Sequence, residues 1–162
     1  MFSTTKEVTA SGHSTGIKKM AAYKYYDDFS AGDRYKTETY LVTEADIVSF
    51  ATRFDPQLIH IGGADAIASG WHTAAAARRL FITSNDCRLP PGSLELGVSG
   101  LKWLKPVYPG DSLYLTIEVR ALRQSASRPS YGIITYGLEA CNQDDETVMV
   151  METSMMLPTR DD

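Results

Sequence analysis

The sequence predicts an α+β domain, a curved antiparallel sheet wrapped around one long helix. Three observations carry that reading. Helical periodicity fills the first half of the chain: Ile47, Phe50, Ala51 and Phe54 fall at i, i+3, i+4 and i+7, and an alanine-rich segment opens at Gly70. From residue 94 onward, apolar and polar residues alternate with the period of strands. Short turns join the last of these segments, which makes them antiparallel neighbours.

The first ordered element is a strand over residues 34–42 (RYKTETYLV), after a turn-like stretch containing Gly32. Thr43 and Asp46 then have the spacing of a capping box, with Asp in place of the usual Glu or Gln. The helix they open ends at Asp55, because Pro56 drives its predecessor out of helical geometry. Ser69 is the N-cap expected for the long helix over 70–83, and Ala74 to Ala77 let another backbone approach closely. Arg78 and Arg79 suit the negative end of its dipole. Residues 85–92, with Pro90 and Pro91, form a loop.

Four strands follow. Over 94–104 the apolar parity switches between Val98 and Leu101, so a bulge or bend is expected at Ser99-Gly100. After the Pro109-Gly110-Asp111 turn, residues 112–122 alternate, with Leu113, Leu115, Ile117, Val119 and Ala121 on one face. Strands over 131–141 and 146–157 complete the set, and the four are expected in antiparallel succession.

A chain of 162 residues hides roughly 70% of its unfolded surface, enough for one core without disulfide or metal support. Residues 1–22 read as a flexible N-terminal tail, 23–158 as a single domain and 159–162 as a polar C-terminal tail. Acids outnumber bases 20 to 16, so there is no basic field for a nucleic-acid backbone. No apolar run reaches the roughly 20 residues of a membrane span, and residues 1–19 lack the apolar stretch of a secretory signal. Cys87 and Cys141 have neither disulfide-framework nor zinc spacing and fit a reducing compartment, so a cytoplasmic protein is expected, with no partner membrane and no metal.

Two segments could do chemistry. Phe54-Asp55-Pro56-Gln57-Leu58-Ile59-His60 sets an acid and an imidazole across a break after a helix, where a short loop could bring them together to move protons. On spacing alone the plainer reading is favoured, with Asp55 a turn former before Pro56 and His60 a surface residue. The second segment is Ala68-Ser69-Gly70-Trp71-His72-Thr73. It opens the long helix, whose free N–H groups could stabilise charge on a carbonyl oxygen, with Gly70 permitting close approach; an ordinary capped helix start accounts for it as well.

These segments, followed by Lys105-Pro106-Val107-Tyr108-Pro109-Gly110-Asp111, resemble the MaoC-like dehydratases, relatives of the (R)-specific enoyl-CoA hydratases, over about residues 23–158. The resemblance implies the hot-dog fold and a homodimer. It assigns Asp55 and His60 as the catalytic pair that activates water toward a trans-2-enoyl thioester, giving an (R)-3-hydroxyacyl thioester. Gly70 falls where the family's backbone N–H binds the thioester oxygen, with Gln57 and Ser69 in support. Coenzyme A or a carrier-protein pantetheine holds the acyl group as substrate, and no cofactor or metal is required. Two departures stand out: Gly62 replaces an acid common two residues after the histidine, and the stretch from Ile61 to Ile67 is short. They keep open a non-catalytic or partner-dependent acyl-CoA-binding subunit, and a thioesterase on the same fold is a further alternative. His72 reads as a packing residue, Cys87 and Cys141 as inert, and Met149, Met151, Met155 and Met156 as core or interface. Arg78, Arg79, Arg88, Lys102 and Lys105 are either surface charges or contacts for coenzyme A phosphates.

Overall fold

The computed structural model describes residues 21–63 and 65–160; most of the expected N-terminal tail, and Asp161 and Asp162, lie outside them. Among these residues six strands, all paired antiparallel, surround the long helix. In chain order the elements are β1 (Arg34–Lys36), β2 (Tyr40–Leu41), α1 (Glu44–Phe54), α2 (Leu58–Ile61), α3 (Gly70–Thr83), β3 (Leu94–Trp103), β4 (Ser112–Gln124), β5 (Tyr131–Cys141) and β6 (Thr147–Pro158). The sheet order is β1-β4-β5-β6-β3, with β2 also on β4.

The core forms where α3 lies in the curve of the sheet. Thr73, Ala76 and Ala77 are buried on its inner face and keep the side chains small, while Leu80 and Phe81 fill the space beyond them. Phe81 meets the buried Tyr136 of β5 edge to face, ring centroids 5.1 Å apart, and Phe29 does the same at 5.8 Å. Leu113, Leu115, Ile117 and Val119 of β4 point into this core, as their alternation predicts. Met149, Met151 and Met155 of β6 join them.

α1 begins with the expected capping box: Thr43 Oγ1 accepts from the Asp46 N–H at 3.1 Å, and Asp46 accepts in return from the Thr43 N–H at 3.4 Å. Its inner face holds Ile47 and Ala51, but Phe54, predicted on the same face, is exposed. The parity change expected at Ser99-Gly100 is present as a register shift in β3, with Gly100 at φ +61°.

Three strand expectations are corrected. The strand over 34–42 is two pieces, because Thr37 turns its hydroxyl into the ladder. That oxygen accepts the Leu115 N–H at 2.9 Å, and one extra residue bulges out before β2 resumes on β4. β3 does not neighbour β4; it pairs with β6 at the sheet edge. Its connection to β4 starts against Val148, where the Leu104 N–H donates at 2.8 Å, and ends against Val42, where the Gly110 N–H donates at 2.8 Å, so it crosses the end of the sheet. Finally, a shift at Arg120 moves Ala121 out to solvent and turns Leu122 toward the core. Thr159 and Arg160, read as the start of a polar tail, donate backbone N–H groups to the Ser130 carbonyl and the Asp27 carboxylate.

Candidate active site

The break after α1 builds the site. The Asp55 N–H donates to the Ala51 carbonyl at 2.9 Å as the helix closes, and Pro56 prevents another turn. Gln57 then starts the single turn of α2, an element the sequence does not announce. That turn exposes Leu58 (79%) and carries His60 inward, where it is 8% exposed.

His60 Nδ1 lies 2.8 Å from the Ile67 carbonyl oxygen. A carbonyl only accepts, so Nδ1 carries the hydrogen and Nε2 is the ring atom facing Asp55 Oδ2, 3.4 Å away. The carboxylate is held from both sides. Gln57 Nε2 donates to Oδ1 and the Ser69 hydroxyl donates to Oδ2, each at 2.6 Å. Those two bonds, Gln57 first and Ser69 second, hold the Asp55 carboxyl below its ordinary range; burial pushes the other way, and His60 adds to the lowering.

Ser69 also accepts the Trp71 N–H at 3.2 Å, so one hydroxyl caps α3 and fixes the acid. The first N–H groups of α3 have no intrahelical partners and bring the positive end of the helix to this point. His60, Gly70, Thr73, Trp103, Lys105 and Val107 are among the residues lining an open pocket of about 320 Å³. Trp103 donates its indole N–H to the Gly70 carbonyl at 2.8 Å. Its ring lies so close that a Cβ on residue 70 would come within 2.5 Å of it. The structure therefore bonds Asp55 to Gln57 and Ser69, sets His60 Nε2 3.4 Å from the carboxylate, and places His60 and Gly70 on one pocket.

Comparison with known proteins matches residues 28–140 to the MaoC like domain. The chain belongs to this family. It is 32% identical over 141 residues to the uncharacterized protein YdeM of Bacillus subtilis, covering 81% of this chain and 96% of that one. Among solved structures, the MaoC-like dehydratase from Rhodospirillum rubrum superposes with a TM-score of 0.78 at 34% identity, over 85% of this chain and 99% of that one. The fold recurs at lower identity. The R-hydratase PhaJ1 from Pseudomonas aeruginosa has a TM-score of 0.68 at 23%, covering 84% of this chain and 86% of that one. A Mycobacterium tuberculosis protein with a double hotdog fold has 0.69 at 18%, covering 86% and 46%. This MaoC-like chain has the hot-dog fold.

In this MaoC-like domain the short stretch after His60 has a visible consequence. The Ile67 N–H bonds back to the Ile59 carbonyl at 3.1 Å, and that tight return sets the Ile67 carbonyl over His60 Nδ1. The sequence reading missed this carbonyl and Trp103. A backbone acceptor carries no residue-type signal, and Trp103 meets Gly70 only through the tertiary fold.

The remaining candidates lie elsewhere or are engaged. His72 is buried away from the acid, stacked on Phe50 with ring centroids 5.0 Å apart, and burial lowers its pKa. Arg78 pairs with Glu95 at 3.5 Å, and Arg88 donates to the Ala21 carbonyl and the Tyr23 hydroxyl. Lys105 is bonded to Glu146 on the pocket rim. Cys87 is a free thiol pushed up to about 12 by burial, and Cys141 is also free and buried. Among the described residues, no cluster of three or more His, Cys, Asp or Glu side chains could hold a metal, and no helix is long and apolar enough to cross a membrane.

Proposed function

We propose that this protein is an acyl-thioester hydratase/dehydratase, interconverting trans-2-enoyl and (R)-3-hydroxyacyl thioesters of coenzyme A or a carrier protein. The observation that carries the reading is the Asp55–His60 pair: Asp55 Oδ2 and His60 Nε2 face one another at 3.4 Å beside the start of α3. With the ring neutral both atoms accept, which suits a water that donates to both and offers its oxygen to the substrate. The family membership and the R-hydratase likeness support the reaction class and its hand.

In the hydration direction the water oxygen bonds to the β-carbon. The displaced π electrons move onto the thioester carbonyl oxygen, where the N–H groups opening α3, Gly70 first, stabilise the enolate. The water's proton passes to His60 Nε2, and the imidazolium so formed is stabilised by Asp55. The α-carbon then takes a proton from the same pair, which restores the site. Water is added across one double bond with no redox change, by the Asp55–His60 pair and the N–H groups that open α3.

The test is loss of the conjugated enoyl absorbance with a panel of trans-2-enoyl-CoAs, run beside a free-thiol assay. Asp55→Asn and His60→Ala are each expected to lower kcat by at least 100-fold, the usual weight of a positioned acid or base, with the fold intact by circular dichroism. Release of thiol would make the protein a thioesterase. Acyl-CoA binding without turnover would make it a binding subunit.

A further inference from the structure

Both tryptophans of the chain stand at one place, and the site described above uses neither as an acid, base or oxyanion donor. Trp71, in the first turn of α3, and Trp103, the last residue of β3, meet edge to face with ring centroids 5.3 Å apart and planes at 76°. Trp103 lines the pocket that holds His60 and Gly70. Trp71 lines a second cleft of about 380 Å³, walled by Ala74, Val98, Leu101 and Met151, with the Arg78–Glu95 pair among its lining residues. The first pocket lies between the start of α3 and the segment after β3, the second between α3 and β3 itself, and the aromatic pair stands where they adjoin.

We infer that the Trp71–Trp103 pair is the stop that sets acyl length, confining the substrate tail to the first pocket and keeping it out of the apolar cleft beyond. This inference rests on the proposed thioester chemistry. With the thioester oxygen at the Gly70 N–H and the β-carbon over Asp55 and His60, the reacting carbons lie beside the Trp103 ring. Trp103 cannot swing aside freely, because its indole N–H is bonded to the Gly70 carbonyl at 2.8 Å and its ring fills the space a Cβ on residue 70 would occupy. Trp71 supports the ring from the other side. The second cleft has the character of an acyl room, mostly apolar, and the aromatic pair stands between it and the first pocket.

The experiment compares kcat/KM for C4 and C10 trans-2-enoyl-CoA in wild type, Trp71→Ala and Trp103→Leu, reading the C10:C4 ratio within each protein. Any general loss of activity, such as a loosened α3 start in Trp103→Leu, cancels in that ratio. The wild type is expected to favour C4, and both variants to raise the ratio at least tenfold, chiefly through KM, since one methylene gained or lost in an apolar pocket is worth about 10-fold or more. A second arm titrates butyryl-CoA and decanoyl-CoA into Trp71→Ala and wild type while following tryptophan emission, which arises only from this pair.

If wild type hydrates C4 but the ratio is unchanged in both variants, or if wild type already turns over C10 as well as C4, the length stop is wrong and the hydratase reading stands. If wild type hydrates neither, the hydratase reading is wrong. The titration then decides the stop: a tenfold gain in decanoyl over butyryl affinity in Trp71→Ala sustains it as a property of the binding site, and no gain removes it.

Discussion

Ser69 does two jobs at once: its hydroxyl donates to Asp55 and accepts from the first turn of α3. Replacing it with Ala should cost about 1 kcal/mol of stability from the cap alone, seen as a lower midpoint in urea. It should also move Asp55. The native carboxyl titrates below the ordinary Asp value of about 3.9, so its ionised form, and the stability that form brings, is complete above that value and lost as pH falls through the lowered native one. Without the Ser69 bond that loss begins at higher pH, so the acid limb of activity in Ser69→Ala should lie above that of wild type. An unmoved limb would detach Ser69 from the acid. His72 predicts the opposite use of a histidine. Burial lowers its pKa, Asp46 opposes that, and its Nδ1 has no partner. The unfolded chain binds a proton near pH 6.5 that the native ring refuses, so stability should fall as pH drops below 6.5 toward the native value. His72→Phe keeps a ring against Phe50 and should flatten that part of the curve, which denaturation at pH 7.5, 6 and 5 would read. The grouping was legible here where side chains carried it: Asp55, His60, Gln57 and Ser69 are neighbours in two short motifs. The Ile67 carbonyl and the Trp103 indole were not, because one has no side-chain identity and the other arrives from the far end of β3.

At the scale of elements, what the sequence announced was local. The caps of α1 and α3, the stop at Pro56 and the turn at Gly110 are each decided within a few residues. The misjudged strands depended on a partner. Thr37 breaks the ladder only because Leu115 offers it an N–H, and Arg120 bulges between the Val119–Tyr136 and Ala121–Thr135 pairs and lays its side chain against Gly137, where a Cβ would come within 2.3 Å of the Arg120 Nε. Two glycines make the distinction testable. Gly100 sits at φ +61° with open space where a Cβ would go, so Gly100→Ala should cost only the left-handed backbone, about 1 kcal/mol. Gly70 has ordinary backbone geometry and a crowded Cβ position against Trp103. Gly70→Ala must displace the indole, so its effect should appear as lost turnover together with a change in tryptophan emission. Thermal melts and emission spectra of the two variants separate these causes; matched emission changes would mean the Trp103 contact is not what excludes a side chain at 70.

At the scale of the molecule, the sheet edge at β3 stands uncovered among the described residues. β3 is ten residues long, stands last in the sheet, and presents Leu94 (51% exposed), Leu96 (51%) and Val98 (49%). Soluble proteins blunt such an edge with charge, proline or a covering element, and within this stretch only Glu95 offers any charge. A second copy related by a two-fold axis would cover it and satisfy the backbone groups of both edges. The expected solution species is therefore a homodimer of twice 17.8 kDa, with an unfolding midpoint that rises with protein concentration, because association favours the folded state by mass action. Leu96→Lys tests the edge itself. An exposed Leu contributes little to the single chain, within about 0.5 kcal/mol for a surface change, yet in a two-fold pairing the new charge faces its own copy. Light scattering should then report a folded monomer whose midpoint no longer depends on concentration. A wild type that is monomeric at high concentration would remove the dimer altogether, and a Leu96→Lys protein that stays dimeric would move the interface off β3. The dimer also bears on catalysis, because β3 ends in Trp103: if pairing stiffens that strand, the monomeric variant should lose turnover without any change at Asp55 or His60.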